Sequence, residues 1–229
     1  MHAVRVFERD LRVINLTLHG VGVPCRPLEP YEAHVWLAEH TLGVILDELL
    51  KFRDFTLTVD DANQSDVRIV LPALLTRRLT AIFFIPAGKL GQQGYLRQED
   101  IQTLVAEGME IGRHGMYHRD WRELNDGELS MEISDSKKIL EEITGQQIQK
   151  VSCPYGSYDR RVLHYLRNTN FQKVYTSDRG RAQSEWWIQP RNSLHATDNP
   201  QTLATIMAQP NSLGESLIRS DGRFVKRWR

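Results

Sequence analysis

The sequence has only two cysteines, Cys25 and Cys153, among 229 residues. Two distant thiols can neither build a disulfide framework nor supply the closely spaced cysteine pairs of a structural zinc site. This cysteine usage gives no indication of an oxidising compartment. The chain therefore depends on an ordinary hydrophobic core, and a hydrophobic content of 41% is typical of a soluble globular protein.

The sequence also lacks an excess of charge of either sign. Lys plus Arg and Asp plus Glu both number 29, so the formal net charge is zero. This balance removes any global electrostatic basis for nucleic-acid binding. The exception is the segment 219–229, which carries five basic residues against one acidic residue. We predict that this segment is a solvated basic tail.

Long apolar runs are absent. The first 20 residues carry charges at short intervals and contain no apolar core of the length found in secretory signals. No later run approaches the roughly 20 apolar residues of a membrane-spanning helix. We therefore expect a cytoplasmic protein with no transmembrane segment.

The apolar pattern predicts strands that alternate with helices. Strands are predicted at residues 13–19, 55–59, 80–85, 109–113, 150–153, 173–176 and 187–191. Helices are predicted at residues 31–50, 64–78, 98–107, 125–144, 158–168 and 200–208. Such alternation is typical of a parallel sheet, and this number of strands favours a closed or nearly closed α/β barrel. No linker or internal repeat interrupts the pattern, so we predict a single domain over residues 1–229.

Two adjacent carboxylates, Asp60 and Asp61, end the predicted strand at 55–59. Neighbouring like charges are costly unless a cation or water compensates them. In parallel α/β proteins, the carboxyl ends of strands are where reactive groups are placed. The pair therefore indicates a functional site, and the alternative is a solvated turn that caps the next helix.

Two histidines, His114 and His118, follow the fourth predicted strand. If a turn of helix begins at His114, both imidazoles project from one face. Two imidazoles and a carboxylate are a common ligand set for a divalent metal. Because the carboxyl ends of parallel strands share one rim, we expect the acidic pair and the histidine pair to meet there. A third segment, 152–156, follows another strand, and its Pro–Gly turn would direct Tyr155 to the same rim.

The order of these segments resembles the polysaccharide deacetylases, the NodB homology domain of carbohydrate esterase family four. TVDDA resembles the first family motif, HGMYH the second, and CPYGSYD the third. The resemblance implies a distorted (β/α)7 barrel. It also implies that Asp60 is the general base and that Asp61, His114 and His118 hold a divalent metal, with zinc as the expected cation.

The sequence departs from the family motifs at three positions. Ala62 replaces the glycine after the acidic pair, and Gly115 replaces a Ser or Thr whose hydroxyl could brace the histidine loop. Ser152 replaces the arginine that orients the catalytic base, and Arg191 is a candidate for that role. The remaining candidates are His195 as general acid or a surface histidine, Tyr155 and Arg191 as substrate-binding residues, and His19 as a residue of the cleft or of the packed structure.

These features predict a de-N-acetylase that acts on an amino-sugar glycan or glycan intermediate. The expected partner is a carbohydrate with N-acetyl groups, and the sequence does not define an oligomeric state. Two alternatives stay open. One is an amidase or deformylase that acts on a small molecule, and the other is a catalytically inactive homologue that binds carbohydrate.

Overall fold

Seven parallel strands form a closed barrel in a computed structural model of the chain, which describes residues 12–30 and 32–208. The strand order is β2-β3-β4-β5-β6-β8-β1, and β1 also pairs with β2, which closes the sheet. A short eighth strand, β7, pairs antiparallel with the start of β1. The strands are β1 (Arg12–Leu18), β2 (Phe55–Asp60), β3 (Ala81–Ile85), β4 (Glu110–Arg113), β5 (Lys150–Ser152), β6 (Lys173–Thr176), β7 (Ala182–Gln183) and β8 (Ile188–Ser193). The predicted seven-stranded barrel is confirmed, and β7 was not predicted.

Helices follow the strands and cover the barrel. They are α1 (Glu39–Leu49), α2 (Leu71–Thr76), α3 (Gln98–Ala106), α4 (Asp126–Thr144), α5 (Arg160–Asn168) and α6 (Pro200–Met207). The longest, α4, begins at Asn125, whose side chain accepts a hydrogen bond from the N–H of Glu128, and ends at Gly145 with a φ of 66°. These are the preferred N-cap and C-cap residues of an α-helix, which explains why its bounds were predictable.

The helix predicted at 31–50 is wrong in its first half. The α-helix begins only at Glu39, and Glu32–Val35 forms a short 3₁₀ helix. Leu37 instead exchanges backbone hydrogen bonds with the loop after β1, because its N–H donates to Gly20 and its carbonyl accepts from Gly22. Tertiary pairing therefore overrides the helical spacing of the apolar residues. The helix predicted at 64–78 begins with a π-helical turn, Asp66–Val70, and Pro72 stands in the first turn of α2.

Successive side chains along each strand point alternately to the outside and to the inside of the barrel. Leu16 and Val59 belong to the main apolar core, which includes residues of the covering helices. Their neighbours Thr17 and Thr58 are also fully buried, and the two hydroxyls are hydrogen-bonded to each other at 3.0 Å. The period of two along each strand thus separates an apolar outer face from a polar barrel interior. This interior provides the buried polar surroundings of the rim described below.

Two predictions fall on residues that the structure does not describe or that it describes only in part. The basic tail, 219–229, lies outside the described residues. Within residues 12–30 and 32–208, no helix is long and apolar enough to span a bilayer. The described part of the chain forms one barrel, and the single domain over 1–229 stays a prediction.

Candidate active site

The acidic pair lies at the carboxyl end of β2, on a turn with left-handed backbone. Asp61 has a φ of 79° and Ala62 a φ of 57°. Glycine adopts such angles without steric cost, which explains why a glycine is expected at position 62. Here the turn is fixed from outside, since the carbonyl of Ala62 accepts a hydrogen bond from the N–H of Leu96 at 2.9 Å. The alanine therefore leaves the turn geometry in place.

Asp61, His114 and His118 converge on one point of the rim. The Oδ1 atom of Asp61 lies 3.5 Å from Nε2 of His114 and 3.4 Å from Nε2 of His118. One ligand atom from each residue lies within 4.8 Å of the other two. Ligands at about 2.0–2.1 Å from a tetrahedrally coordinated cation are about 3.3 Å apart, close to both measured spacings. The buried Oδ1 of Asp61 meets no hydrogen-bond donor among the described residues. These residues therefore fit a divalent cation.

The ring orientation of His114 is fixed from the neighbouring strand. Its Nδ1 lies 2.9 Å from the backbone carbonyl of Ser152, and a carbonyl only accepts, so Nδ1 carries the hydrogen. Nε2 is then the nitrogen with the free lone pair, and Nε2 is the atom that faces Asp61. A carbonyl that orients a histidine in this way is a common partner of metal ligands.

The histidine segment is not helical, so that part of the sequence-based prediction is wrong. Residues 114–118 form a loop in which Gly115 has a φ of 75° and His118 a φ of 58°. The two imidazoles meet because the loop turns back on itself, with their ring centroids 4.8 Å apart. The predicted convergence of the two rings is present, but a loop rather than a helix face produces it.

A buried carboxylate from α4 holds this loop. Glu132 accepts hydrogen bonds from the N–H groups of Met116, at 2.8 Å, and Tyr117, at 3.2 Å. Only 2% of Glu132 is exposed. A Cβ atom on Gly115 would lie 2.5 Å from Oε2 of Glu132, so the glycine makes room for the carboxylate. Glu132 was not among the predicted site residues, although an acidic residue in the apolar stripe of α4 is a signal that could have revealed it.

Arg191 holds the candidate general base. Its guanidinium binds both oxygens of Asp60, at 2.7 and 2.8 Å, and both side chains are almost fully buried. The remaining guanidinium N–H groups point to Ser152 Oγ, Thr58 Oγ1 and the carbonyl of Thr176. Since all five N–H donors meet protein acceptors, the geometry favours Arg191 as the residue that orients Asp60, and its contact with substrate stays a prediction.

The charges of the site are strongly coupled. Burial would raise the pKa of both aspartates, but Arg191 and His114 hold the pKa of Asp60 below its usual range, and the imidazoles do the same for Asp61. Burial lowers the pKa of His118 to about 4. Burial would also lower the pKa of His114, but Asp60 and Asp61 outweigh it and raise that pKa. An ionised Asp61 and a neutral His118 are the forms in which these two groups bind a divalent cation, and a bound cation would compete with the proton for Nε2 of His114.

Tyr155 reaches the site through its side chain. Its ring packs on His118 with centroids 4.4 Å apart, and its hydroxyl lies 3.3 Å from Oε2 of Glu29. Burial and the nearby Glu29 raise the pKa of Tyr155 to about 12, so the phenol stays protonated. Its φ of 57° is unusual for a side-chain-bearing residue, and such backbone strain is concentrated at functional sites.

The loop after β1 covers the site and was predicted only as a loop. Lys89 binds Glu29 of this loop at 2.7 Å. Arg26 forms an ion pair with Glu32 and a hydrogen bond to Asn63, which follows the acidic pair. Arg26 therefore ties the loop to the turn that carries Asp61.

His195 and His19 both line the cavity that contains the acidic pair, which measures about 330 Å³. The imidazole of His195 stacks on that of His34 with centroids 5.5 Å apart. The backbone N–H of His195 donates a hydrogen bond to Oδ2 of Asp198 at 2.8 Å. The structure thus brings every predicted site residue to one cavity: Asp60, Asp61, His114, His118, Tyr155, Arg191 and His195.

Comparison with known proteins identifies the family. The family model described as polysaccharide deacetylase matches residues 50–174, which include the acidic pair, both histidines and Tyr155. The chain belongs to the polysaccharide deacetylase family.

Among curated relatives of this deacetylase family member, the protein YxkH of Bacillus subtilis (strain 168) is 24% identical over 184 residues, which are 80% of this chain and 63% of the relative. A chitooligosaccharide deacetylase of Bradyrhizobium sp. (strain ANU 289) is 27% identical over 142 residues, 61% of this chain and 58% of the relative. The chain thus spans about three fifths of the length of these two relatives.

Solved structures share the fold of this deacetylase family member. The Streptococcus pyogenes deacetylase PplD in complex with acetate superposes with a TM-score of 0.77 at 18% identity, over 88% of this chain and 100% of that one. A polysaccharide deacetylase from Bacillus cereus gives a TM-score of 0.75 at 16% identity, over 86% of this chain and 69% of that one. At these identities the superpositions establish the barrel fold.

Proposed function

We propose that the protein is a metal-dependent hydrolase that removes N-acetyl groups from an amino-sugar glycan or glycan intermediate. The observation that carries this proposal is the convergence of Asp61, His114 and His118 within 4.8 Å, beside a base held by a buried arginine. Membership of the polysaccharide deacetylase family and the chitooligosaccharide deacetylase among the relatives support an N-acetylated sugar as the substrate.

Asp61, His114 and His118 would hold the cation, with zinc as the expected metal because two imidazoles and one carboxylate suit it. A divalent cation bound there would lower the pKa of a water molecule and polarise the acetamide carbonyl. The ionised Asp60, fixed by Arg191, accepts the proton of the water that adds to the acetyl carbon. The peptide N–H of Tyr155 donates to the oxygen that becomes negative in this addition.

The carbon–nitrogen bond then breaks, acetate leaves, and the sugar nitrogen gains a proton to become an amine. His195 is our candidate for the donor of that proton, since it lines the same cavity as Asp60. Burial lowers the pKa of His195, so a protonated His195 would be a strong proton donor to the leaving amine.

The test uses purified protein, elemental analysis and acetate release from N-acetylglucosamine oligomers. We expect close to one divalent cation per chain, lost in His114→Ala. Asp60→Asn should retain the cation and release no acetate, because the amide cannot accept the proton. Asp54→Asn is the matched control, since Asp54 is exposed at the other end of β2. Acetate release by Asp60→Asn at the unaltered rate would reject Asp60 as the base.

The two alternative functions give different results in a panel of substrates read by mass. A small-molecule amidase or deformylase would remove a formyl or other acyl group and show little activity on chito-oligomers. An inactive homologue would bind sugar equally well with and without Asp60→Asn and release nothing. The ordered Arg191–Asp60 pair favours catalysis over the inactive alternative, because a binding protein has no need of an oriented base.

The cytoplasmic location stays a prediction, and cell fractionation with an antibody to the protein would test it. The oligomeric state likewise remains to be measured, for which light scattering on the purified protein is sufficient.

A further inference from the structure

Four basic side chains from four separate segments line the cavity beside the acidic pair. His19 follows β1, His34 lies in the 3₁₀ helix Glu32–Val35, Arg179 lies between β6 and β7, and His195 follows β8. We call these four residues the basic cluster. Their assembly at one place depends on the closed barrel, because β1 and β8 are paired neighbours although they stand at opposite ends of the described chain.

Arg179 has a fixed place at the rim. Its backbone N–H donates to the carbonyl of Arg191 at 3.0 Å, and the side chain of Asn192 binds both the N–H and the carbonyl of Gly180 at 3.0 Å. Arg179 has a φ of 61°, which is uncommon for a residue with a side chain. The structure thus maintains a strained turn that places a guanidinium at the cavity next to the strand of the base-holding arginine.

Arg179, the permanently charged member of the basic cluster, forms no ion pair among the described residues, unlike the other Lys and Arg side chains of the cavity. Glu29 is paired with Lys89, Glu32 with Arg26, and Asp60 with Arg191. In the described part of the chain, no carboxylate lies within ion-pair distance of the Arg179 guanidinium. Three of the four carboxylates that line the cavity thus have a Lys or Arg partner, and Asp61 faces His114 and His118, whereas the Arg179 guanidinium has no carboxylate partner among the described residues.

The carboxylates nearest in sequence to the cluster are engaged elsewhere. Asp178 accepts hydrogen bonds from the hydroxyls of Tyr158 and Thr176. Asp198 accepts from the backbone N–H of His195. Burial lowers the pKa of His195, and repulsion from Arg179, His34 and His19 adds to burial, so that together they outweigh the opposite effect of Asp198. Arg179 thus lies close enough to His195 to disfavour the protonated form of this imidazole.

We propose that the basic cluster is a subsite for an anionic substituent, a carboxylate or a phosphate, on the N-acetylated amino sugar. This inference rests on the proposed function, because it assigns the second recognition point of the same cavity. His19 connects the two points, since it lines the same cavity as Asp60, Asp61 and His195. A sugar whose acetamide reaches Asp60 would place its anion against Arg179, where a planar guanidinium with free N–H groups suits a carboxylate or a phosphate.

The test compares three sugars with metal-loaded protein: N-acetylglucosamine, N-acetylmuramic acid and N-acetylglucosamine 6-phosphate. The two anionic sugars distinguish carboxylate from phosphate recognition. We expect kcat/KM for at least one of them to exceed that for the neutral sugar by tenfold or more, mostly through KM. Arg179→Gln should reduce that ratio at least tenfold, the loss expected for one charge-assisted hydrogen bond. His34→Gln should reduce it less, because a neutral imidazole donates without full charge.

Arg53→Gln is the matched control, because Arg53 is exposed and lies two residues before β2, at the other end of the barrel from the site. It should leave the ratio unchanged, and 0.5 M salt should reduce the ratio in the unaltered protein by screening. An unaltered ratio in Arg179→Gln, or a ratio near one in the unaltered protein, would overturn the subsite.

Dissociation constants for the same three sugars, measured by calorimetry, separate this inference from the proposed function. Tighter binding of an anionic sugar, lost in Arg179→Gln, would support the subsite even if no acetate were released from any of them. Acetate release from all three sugars at equal affinity would support the deacetylase and reject the subsite.

Discussion

The carboxylate of Glu132 should control how firmly the protein holds its cation, although it is not a ligand. It accepts hydrogen bonds from the N–H groups of Met116 and Tyr117 in the loop between the two histidines, and only 2% of Glu132 is exposed. We therefore predict that Glu132→Ala weakens cation binding by loosening His114 and His118 together. Glu142→Ala is the matched control, since Glu142 is an exposed residue of the same helix.

The magnitude follows from the hydrogen bonds that are lost. A hydrogen bond to a charged group contributes about 1.5–3 kcal/mol, and Glu132→Ala removes two while leaving two N–H groups without a partner. We expect the free energy of unfolding to fall by about 3 kcal/mol or more. Loss of a residue that orients metal ligands typically costs 10–100-fold in metal affinity. Glu132→Gln keeps one acceptor oxygen and should fall between Glu132→Ala and the unaltered protein.

A double-mutant cycle with Gly115→Ser tests the structural reason. In the unaltered protein the serine Cβ would lie 2.5 Å from Oε2 of Glu132, so Gly115→Ser alone should be strongly destabilising. With Glu132→Ala the 2.5 Å contact disappears, leaving Trp121 Nε1 at 3.3 Å as the nearest atom, and a cost of about 1 kcal/mol for the left-handed backbone remains. We expect a favourable coupling of at least about 1 kcal/mol in urea unfolding, and the serine hydroxyl should recover part of the metal affinity measured against a chromophoric chelator. Additive effects, or an unchanged metal affinity in Glu132→Ala, would refute the role of Glu132.

Two further predictions concern the base and the basic cluster. Arg191→Lys should lower kcat at least tenfold with the metal content retained, because lysine cannot hold both oxygens of Asp60. Arg191→Ala should in addition destabilise the fold by about 3–5 kcal/mol, because it leaves the buried carboxylate unpaired. It should also move the acid limb of the pH profile of kcat/KM to higher pH, since burial raises the pKa of Asp60 once the arginine is gone. Equal losses of turnover and metal would contradict a role in orienting the base. In NMR titration His195 should have a pKa below 6.5 that rises in Arg179→Gln, and an unchanged value would show that the two groups do not interact. Because the pKa of His195 is lower in the folded than in the unfolded state, the unfolded chain takes up the proton first as the pH falls. His195 therefore lowers the free energy of unfolding as the pH falls from 6.5 towards its pKa in the folded protein.

The barrel was predictable because each of its strands carries a local signal. The strand Ala81–Ile85 is an unbroken apolar run, and α4 has both its capping residues in sequence. The errors lie where tertiary contacts decide the local structure. Leu37 leaves the helical pattern to pair with the loop after β1, and β7 comprises only two residues, too few for any periodicity.

The convergence of the three candidate ligands was predictable, but the residues that support them were not. The motif residues Asp61, His114 and His118 stand at strand ends, where the barrel brings them together. Glu132 and Arg26 act through contacts with residues far along the chain, and no spacing in the sequence indicates such contacts. Glu132 holds the loop beside Gly115, the position at which the family motif quoted above carries Ser or Thr.

Asp60, the candidate base, is oriented by an arginine on β8 rather than by an arginine at position 152 on β5, where the family motif would carry it. The hydroxyl of Ser152 lies 3.3 Å from Asp60 and accepts a hydrogen bond from the Arg191 guanidinium, so the serine occupies the place that an arginine on β5 would fill. Arg191 reaches the same carboxylate from β8, across the barrel interior, with its guanidinium 5.3 Å from the ring of Phe84. An arginine at position 152 would bring a second buried cation against Arg191, and its repulsion would not be compensated by the single charge of Asp60. The small residue at 152 and the arginine at 191 therefore depend on each other. Ser152→Arg alone should leave a buried cation unpaired, and loss of Arg191 alone should leave the buried Asp60 carboxylate unpaired.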